Sequence, residues 1–392
     1  MDYNKISLEL HAEHMGKLAV NSKVKLENKA DLSVAYTPGV AEPCRHIHKN
    51  PDDVYKYTIK SNTVAVVSDG SAVLGLGNIG GSASIPVMEG KAVLFKSFGD
   101  IDAFPICLDT QDDEEIIRTV KNIAPVFGGI NLEDINAPRC FYIEKRLKEE
   151  LDIPVFHDDQ HGTAVCVLAS IINGAKVLGK TVQNLKVVIN GIGAAGSAIC
   201  QILLNYGIKN IVLCDKNGVL NQENPETLLN GKHQELAEKT NPENINGALA
   251  DALKNADVFI GVSRKGLLKP EMIKTMAEKP MIFAMANPEP EIYPEEAKAA
   301  GAAIVGTGRS DYPNQINNVL VFPGMFKGAL SVRASDINEE MKMAAAVALA
   351  GYINDKDLTT ENIIPPALDR NVAKTIADAV AEAAKKSGVA RI

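Results

Sequence analysis

The side chains best suited to chemistry stand in the stretch VFHDDQHGTA, residues 155 to 164. Asp158 and Asp159 lie side by side between His157 and His161, after an apolar run and before a helix-like one. Four polar residues at this spacing could bind zinc, form a carboxylate site for a harder metal, act as a catalytic pair, or make no more than a polar turn. The stretch alone leaves these alternatives open.

A second acidic doublet, Glu133 and Asp134 in NLEDINAP, also follows an apolar segment. Carboxylates gathered in one crevice would raise each other's pKa values unless a cation neutralised them. Carboxylate oxygens without cysteine suit Mg²⁺ or Mn²⁺ better than zinc. Each doublet could instead cap the helix that follows it, as aspartate commonly does. Two doublets beside a dinucleotide-binding pattern favour the metal site.

The pattern Gly-x-Gly-x-x-Gly occurs twice, as GLGNIG (75–80) and as GIGAAG (191–196). GIGAAG follows the strand-like LKVVIN directly and runs into the helical pattern SAICQILLNYG, which is typical of a site that binds pyrophosphate at a helix N-terminus. About 20 residues further on, an aspartate ends the next strand, where it could accept hydrogen bonds from ribose hydroxyls. The predicted cofactor-binding residues are Gly191, Ile192, Gly193, Ala194, Ala195, Gly196 and Asp215.

The charge of Asp215 repels a 2′-phosphate and favours NAD, while the adjacent Lys216 keeps NADP possible. The other pattern, GLGNIG, has a different context, because the strand before it ends near Asp69 and both Gly81 and Pro86 follow closely. We therefore predict that no helix of useful length begins there. GLGNIG would form a tight turn at a substrate pocket, or merely a turn.

Side chains at strand ends require a scaffold of parallel strands. From residue 180 onward, short apolar runs alternate with helical patterns, which predicts a doubly wound, Rossmann-type α/β domain. The preceding residues mix strands and helices with more loop and predict a smaller α/β domain, and the segment after 310 is helical. We expect a substrate and metal domain over 1–155 and a dinucleotide-binding domain with closing C-terminal helices over 156–392.

Composition limits the class of partner. The chain has 392 residues, 46% of them hydrophobic, so it can bury a full core. Its formal charge of −8 argues against nucleic-acid binding, and no apolar run is long enough to predict a membrane span. Six scattered cysteines without metal-binding spacing indicate reduced core residues. We expect a cytoplasmic protein that binds a small molecule.

The motifs of this sequence resemble those of the malic enzymes, in particular the small-subunit bacterial and archaeal branch. The resemblance extends over nearly the whole chain. The matching stretches are SVAYTPGVAEPC, SDGSAVLGLGNIGGSASIPVMEGKAVLFK, NLEDINAP, VFHDDQHGTA, VVINGIGAAG, CDKNG, FAMANPEPE and GRSDYPNQINNVLVFPG. The resemblance implies oxidation of L-malate by NAD or NADP, decarboxylation at C3 and protonation of the enolate to pyruvate, with Mg²⁺ or Mn²⁺. It also implies a homodimer or higher homo-oligomer.

The resemblance further implies residue roles. Lys91 in MEGKAVLF corresponds to the general base and Tyr36 in AYTPGV to the general acid. A lysine accepts a proton near neutral pH only if burial or a nearby cation lowers its pKa. The implied metal ligands are Glu133, Asp134 and Asp159, with Asp158 behind them holding a bound water or Lys91, and the implied cofactor and substrate contacts are Asn287, Asn317 and Asn318. Gly162 and Thr163 would begin the helix that enters the nucleotide domain.

One position departs from the family pattern. Larger malic enzymes carry a carboxylate-binding arginine where this chain has Ala72, and Arg309 in TGRSDYPNQ is a candidate replacement. A malolactic-type enzyme that retains NADH and forms lactate, another metal-assisted 2-hydroxy-acid dehydrogenase, and a catalytically inactive relative are the alternatives. The sequence also leaves open whether Tyr36 serves its own subunit or the neighbouring one.

Overall fold

The N-terminal segment forms an arm of short helices with exposed side chains. The computed structural model describes residues 2–73 and 75–392. The arm contains α1 (Tyr3–His14), α2 (Lys29–Ala35) and α3 (Ala41–Lys49), followed by α4 (Val54–Tyr57). No residue of these four helices is buried. The arm touches the rest of the chain through a few polar contacts, among them a hydrogen bond from the Lys17 amide to the Glu89 carboxylate at 3.1 Å.

A four-stranded parallel sheet follows the arm. Its strands are β1 (Thr63–Ser68), β2 (Asp102–Cys107), β3 (Gly129–Leu132) and β4 (Val155–His157), in the spatial order β2-β1-β3-β4. Side chains alternate between the two faces of a strand, so Val64 and Val66 enter the central core while Ala65 and Val67 enter a core on the other face. Both faces of the sheet are therefore covered, as a parallel sheet requires.

The helices that cover this sheet are α5 (Gly80–Gly99), α6 (Asp113–Ile123) and α7 (Arg139–Glu150). The prediction that no useful helix begins at GLGNIG was wrong, because α5 starts at its last glycine and runs for 20 residues. An eleven-residue connection, 69–79, separates β1 from α5, which is longer than the tight strand-to-helix turn of a dinucleotide site. Pro86 lies inside α5 without ending it.

Helix α8 (Asp158–Leu178) links the two halves of the chain. It begins at Asp158 itself, four residues before the predicted start at Gly162. Fifteen of its 21 residues are buried, because the helix lies in a core cluster that draws side chains from both sheets and from the C-terminal helices. By length and composition α8 could cross a membrane, yet 72% of its apolar window is buried, as in a core helix.

The second sheet is the predicted doubly wound sheet. Its strands are β5 (Lys186–Asn190), β6 (Asn210–Asp215), β7 (Gly218–Val219), β8 (Val258–Gly261), β9 (Met281–Ala284) and β10 (Ile304–Thr307), in the order β10-β9-β8-β5-β6-β7. Only β7 runs antiparallel. The strand order reverses between β5 and β8, and such a switch point opens a crevice at the carboxyl ends of the strands.

The helices of this half differ in length. They are α9 (Ala194–Tyr206), α10 (Gly231–Ala237), α11 (Leu249–Ala252), α12 (Pro270–Ile273) and α13 (Pro294–Ala299). Helix α9 has 13 residues, as the pattern after GIGAAG predicts, whereas α11 and α12 are single turns of four residues. The chain closes with α14 (Phe322–Ser331), α15 (Glu339–Gly351) and α16 (Asn371–Lys386).

The predicted domain boundary does not coincide with a loop. The proposed boundary after residue 155 falls within β4, and α14 packs on α5 of the first half, so the division into 1–155 and 156–392 stays a prediction.

The cysteines differ in burial. Four of the six cysteines are buried free thiols, whereas Cys44 is exposed and Cys107 is half-buried. The prediction that the cysteines belong to the core therefore holds for only four of them.

Candidate active site

The register of the first sheet brings the two acidic doublets together. Leu132, the last residue of β3, pairs with His157, the last residue of β4. Each strand is followed at once by its doublet, Glu133 and Asp134 after β3 and the start of α8 after β4. Adjacent parallel strands end at the same edge of a sheet, so both doublets lie in one crevice.

Three carboxylates form a cluster in this crevice. One ligand oxygen from each of Glu133, Asp134 and Asp159 lies within 4.8 Å of the others. Asp159 Oδ2 also accepts a hydrogen bond of 2.8 Å from the Asp134 backbone N–H. Asp134 has a left-handed backbone with φ of 53° and its buried Oδ2 has no hydrogen-bond partner. An aspartate held in this way is prepared for a ligand that the protein itself does not supply.

The pKa values of the cluster reflect unbalanced negative charge. Burial, together with the charges of the neighbouring Asp159 and Glu133, raises the pKa of Asp134 to about 9. Burial also raises the pKa of Glu133 and of Asp159, although Lys91 opposes both shifts. Oxygen donors, an unsatisfied buried oxygen and mutual repulsion fit a hard divalent cation such as Mg²⁺ or Mn²⁺. Glu133, Asp134 and Asp159 are the residues that would hold it.

Lys91 is buried at the centre of the site. Its Nζ lies 2.7 Å from Glu133 Oε1, 2.7 Å from Asp158 Oδ2 and 4.4 Å from the centre of the Phe322 ring. The sequence suggested that burial or a cation lowers the pKa of this lysine. Burial does act in that direction, but Asp158 and Glu133 outweigh it and raise the pKa. Without a cation on the carboxylates, Lys91 is therefore a stable ammonium group.

Asp158 lies behind the cluster, where the sequence placed it. Its carboxylate receives Lys91 through Oδ2, while Oδ1 is buried without a partner. Asn318 is close by, since a Cβ added at Gly162 would lie 1.9 Å from Asp158 Oδ1 and 3.0 Å from Asn318 Cβ. The other predicted contact, Asn317, uses its side-chain oxygen to accept from the Val319 N–H. Of the two asparagines, Asn318 faces the site.

The dinucleotide pattern GIGAAG forms the connection from β5 to α9. A Cβ at Gly196 would lie 1.8 Å from the Gly191 carbonyl oxygen, so this position requires glycine, whereas a Cβ at Gly193 would meet no protein atom within 4 Å. The open space at Gly193 matches a close approach of pyrophosphate. Ala194 packs against the core of the first sheet, which brings this loop near the acidic doublets.

Other predicted cofactor residues lie at the same edge. Asp215 ends β6, and its Oδ1 accepts a hydrogen bond of 2.8 Å from the Asn217 N–H. Asn287 follows β9 and donates to the Met285 carbonyl at 3.3 Å. A Cβ at Gly75 would lie 3.2 Å from the Pro288 ring, so the GLGNIG turn contacts the segment that follows β9. The substrate turn and the cofactor loops therefore border one crevice.

Two residues do not have the surroundings that their predicted roles require. Arg309, the candidate carboxylate anchor, is engaged by both oxygens of Asp311, at 2.9 and 2.7 Å. The Tyr36 side chain is 66% exposed, and among residues 2–73 and 75–392 none hydrogen-bonds to its hydroxyl. The structure therefore leaves the dicarboxylate anchor unassigned and places Tyr36 on an open surface.

Sequence reasoning treated His157 and His161 as flanking residues and missed Glu144. His161 Nε2 lies 2.8 Å from Glu144 Oε1, deep beneath the carboxylate cluster. Burial alone would raise the pKa of Glu144, but its interactions with His161 outweigh burial and lower the pKa. The sequence carries a signal for Glu144, because this acidic residue occupies the otherwise apolar stripe of α7 that contains Cys140 and Ile143.

Replacing Asp134 tests the carboxylate cluster. The pKa of Asp134 is raised to about 9, so near neutral pH Asp134→Asn replaces a protonated carboxyl group by a neutral amide, and the metal-free protein should unfold at the same or a higher temperature than the wild type. Mn²⁺ at about 100 times its Kd should stabilise the wild type by about 2.7 kcal/mol. The same concentration should stabilise the variant much less, because an amide is a poorer ligand. Differential scanning calorimetry with and without Mn²⁺ measures both effects.

The exposed Asp378, on α16, supplies the matched control, since Asp378→Asn makes the same substitution far from the cluster. Equal stabilisation of Asp134→Asn and the wild type by Mn²⁺ would contradict the assignment of Asp134 as a ligand.

Two glycine substitutions separate packing from cofactor contact. Gly196→Ala should destabilise the protein by about 1–3 kcal/mol, because the added methyl group meets backbone. Gly193→Ala should leave the melting temperature unchanged and raise the dinucleotide Kd about tenfold, or about 1.4 kcal/mol, since the methyl group points into the open space. Calorimetry of unfolding and of dinucleotide binding distinguishes the two.

Gly351→Ala, in open space at the end of α15, is the control for adding a methyl group. A Gly193→Ala variant with wild-type dinucleotide affinity would refute the predicted approach of the pyrophosphate.

Family models cover both halves of the chain. The model described as "Malic enzyme, N-terminal domain" matches residues 15–148, and the one described as "Malic enzyme, NAD binding domain" matches residues 160–385. A bifunctional malic/malolactic enzyme of Bacillus subtilis is 56% identical, across 100% of this chain and 95% of its own. An NAD-dependent malic enzyme of Geobacillus stearothermophilus is 58% identical, across 96% of this chain and 78% of its own.

Solved structures agree with these relatives. The crystal structure of a malic enzyme from Pyrococcus horikoshii has a TM-score of 0.95 at 52% identity, and covers 99% of this chain and 92% of its own. That of an NAD-dependent malic enzyme from Thermotoga maritima has a TM-score of 0.93 at 54% identity, and covers 95% of this chain and 98% of its own. With both halves matched and the same fold in these structures, the chain belongs to the malic enzyme family.

Proposed function

We propose that the protein catalyses the oxidative decarboxylation of L-malate to pyruvate and CO₂ with reduction of NAD or NADP. The observation that carries this proposal is the cluster of the buried Glu133 and Asp134 with the half-buried Asp159, beside Lys91 and at an edge that also borders the dinucleotide loop. A hydride acceptor, a basic side chain and ligands for a cation are the parts that this reaction requires. Family membership supports the same reaction.

The three carboxylates hold a divalent cation in this proposal. When bound, Mg²⁺ or Mn²⁺ orients the substrate carboxylate and C2 oxygen and stabilises the negative charge of the enolate. The chain contributes oxygen donors fixed by backbone contacts, because Asp159 is tied to the Asp134 amide and Glu133 Oε2 accepts from Asn131 at 2.8 Å. Ligands held in advance lose little freedom when the site fills.

Lys91 takes the proton of the C2 hydroxyl while hydride leaves C2 for the nicotinamide. Burial lowers the pKa of Lys91 and the surrounding carboxylates raise it. A cation bound by Glu133 and Asp159 would offset part of the carboxylate charge and so lower the pKa, while Asp158 would still act to raise it. Asp158 holds Nζ at 2.7 Å and so fixes the position of the base. Tyr36 then supplies the proton to C3 of the enolate, with its hydroxyl as general acid.

NAD is the proposed cofactor, in preference to NADP. Asp215 at the end of β6 favours a free ribose 2′-hydroxyl over a 2′-phosphate. The Geobacillus relative is NAD-dependent. A relative from Escherichia coli that is 48% identical, across 96% of this chain and 51% of its own, is NADP-dependent. The relatives thus include NAD-dependent and NADP-dependent enzymes, and the carboxylate of Asp215 supports NAD as the cofactor of this protein.

The proposed assembly is a homodimer in which the N-terminal arm covers a second copy. The arm exposes large apolar side chains, with Met15 92% and Val20 85% exposed, while α1, α2 and α3 contain no buried residue. An arm that exposes large apolar side chains and buries none of its helical residues is suited to a protein interface, and a second copy of the chain is the commonest partner. We place Tyr36, on this arm, in the active site of the neighbouring subunit. The cytoplasmic location stays a prediction.

A malolactic activity is the second candidate. The Bacillus relative is described as a bifunctional malic/malolactic enzyme and aligns with the whole of this chain. The same site would then retain NADH and reduce pyruvate to lactate. The two activities share Lys91, Tyr36 and the carboxylate cluster, so the product distinguishes them.

An assay of malate with Mn²⁺ and either NAD or NADP tests reaction and cofactor together. We expect pyruvate and free NADH in equal amounts, and a kcat/KM at least about tenfold higher with NAD, which corresponds to about 1.4 kcal/mol. Lactate without net NADH would support the malolactic reaction instead. Absence of any activity on malate would refute the proposed function.

The two acid–base residues should affect different half-reactions. Lys91→Ala should abolish hydride transfer, whereas Tyr36→Phe should slow pyruvate release more than malate oxidation, because the phenol acts after hydride has left. The controls are Lys96→Ala on the same helix and Tyr3→Phe on the same arm, both at exposed positions. Rapid-quench measurement of NADH and pyruvate separates the steps, and equal loss of both in Tyr36→Phe would refute this division.

The same variants test the assembly. If Tyr36 acts in the neighbouring subunit, a dissociated and reassociated equal mixture of Lys91→Ala and Tyr36→Phe chains contains dimers with one intact site. Half of the dimers are mixed and each has one working site of two, so pyruvate formation should recover to about a quarter of the wild-type rate, if chains pair at random. If Tyr36 serves its own subunit, every site lacks a residue and the mixture stays as inactive as its parents.

A further inference from the structure

We propose that Glu144 is a positioning residue that fixes the first turn of α8 and, through that turn, the carboxylates of Asp158 and Asp159. The inference rests on the proposed metal site, because it assigns Glu144 the task of holding the ligands of that site in place. Glu144 itself lies on α7 and faces the side of the turn opposite to the carboxylate cluster.

The Glu144 carboxylate accepts from three residues of one short segment, 157–161. His161 Nε2 lies 2.8 Å from Oε1 and 3.0 Å from Oε2, and Gln160 Nε2 donates to Oε2 at 3.1 Å. The backbone N–H of His157 points at Oε1 from 3.4 Å, at the limit of a hydrogen bond. The side chain is 7% exposed, so these donors replace water around a buried carboxylate.

A hydrogen-bond chain from α15 sets the orientation of His161. Lys342 Nζ lies 3.3 Å from His161 Nδ1, and it also forms an ion pair with Glu339. An ammonium group only donates, so Nδ1 accepts and the ring proton resides on Nε2, where it faces Glu144. Donors and acceptors are therefore matched in order from Lys342 through His161 to Glu144.

The opposite side of the same turn carries the reactive groups. Asp158 Oδ2 receives Lys91 at 2.7 Å and Asp159 Oδ2 receives the Asp134 amide at 2.8 Å. Residues 158 and 159 thus face the crevice while 157, 160 and 161 are tied to Glu144. A shift of the turn would move the aspartates relative to Asp134, and a ligand displaced by less than 1 Å no longer fits a metal geometry.

A purely structural role for Glu144 is the competing explanation. A buried carboxylate with several donors would lower stability when replaced, whatever lies on the far side of the turn. Stability alone therefore does not distinguish the two roles. The affinity for metal does distinguish the two roles, because replacing a residue that holds a metal ligand in place typically changes this affinity by about 10- to 100-fold.

The experiment is titration of the metal-free, full-length protein with Mn²⁺ by isothermal calorimetry, without malate or dinucleotide. Glu144→Gln retains the size of the side chain but replaces an acceptor oxygen with an N–H₂ group that faces other donors. We expect its Kd for Mn²⁺ to rise about 10- to 100-fold while its Kd for NAD stays within about twofold of the wild type. Saturating Mn²⁺ should restore most of kcat. Glu149→Gln, the same change at an exposed position on α7, should alter neither Kd.

A second variant covers the case in which Glu144→Gln does not fold. Lys342→Met removes the ammonium group that begins the series of hydrogen bonds to Glu144, and methionine has a similar volume. Lys342 is 181 residues away from His161 in the sequence. Its Kd for Mn²⁺ should rise by about threefold to tenfold. A wild-type Kd in both variants, or in Lys342→Met if only that variant folds, would overturn the inference even if their melting temperatures fall. Failure of the wild type to bind Mn²⁺ would instead remove the proposed metal site, and this inference with it.

Discussion

The structure depends on a buried imbalance of charge. One ammonium group, Lys91, lies among Glu133, Asp158 and Asp159, with Asp134 at the edge of the same cluster. Burying like charges is costly unless they are paired or neutralised. The fold tolerates the remaining negative charge because packed helices and backbone hydrogen bonds hold the carboxylates from behind. This cost is the physical reason for which we propose that the site binds a divalent cation.

Parallel strands make that arrangement possible. Glu133 and Asp158 are 25 positions apart in the sequence, and only the pairing of β3 with β4 brings the two doublets to one edge. Helix α8 then continues from the second doublet into a core shared by both sheets. The first turn of this helix is therefore both part of the site and part of the link between the two halves of the chain. A displacement of either half of the chain would move this turn and, with it, the carboxylates of Asp158 and Asp159.

Much of the fold and of the cofactor loop could be predicted, because these elements depend on patterns within short stretches of sequence. Continuous apolar runs predict buried parallel strands, and GIGAAG between a strand and a helix predicts the dinucleotide turn. The same reasoning failed at GLGNIG, where Pro86 and Gly81 weakened the helical pattern but tertiary packing of Met88 and Phe95 stabilises a long helix. Helices α11 and α12 are single turns, which the alternation of apolar runs and helical patterns does not predict, because amphipathic spacing does not fix where a helix ends.

The sequence by itself determined the residue types, the doubly wound sheet and the family, since these follow from hydrophobic periodicity and from motifs that are contiguous in the chain. Only the tertiary structure decided the pKa of Lys91, the engagement of Arg309 by Asp311 and the role we assign to Glu144. Each of these depends on charges and hydrogen bonds between segments far apart in the chain. Electrostatic interactions act through distance in space and through burial, and neither is encoded in the spacing of residues along the chain.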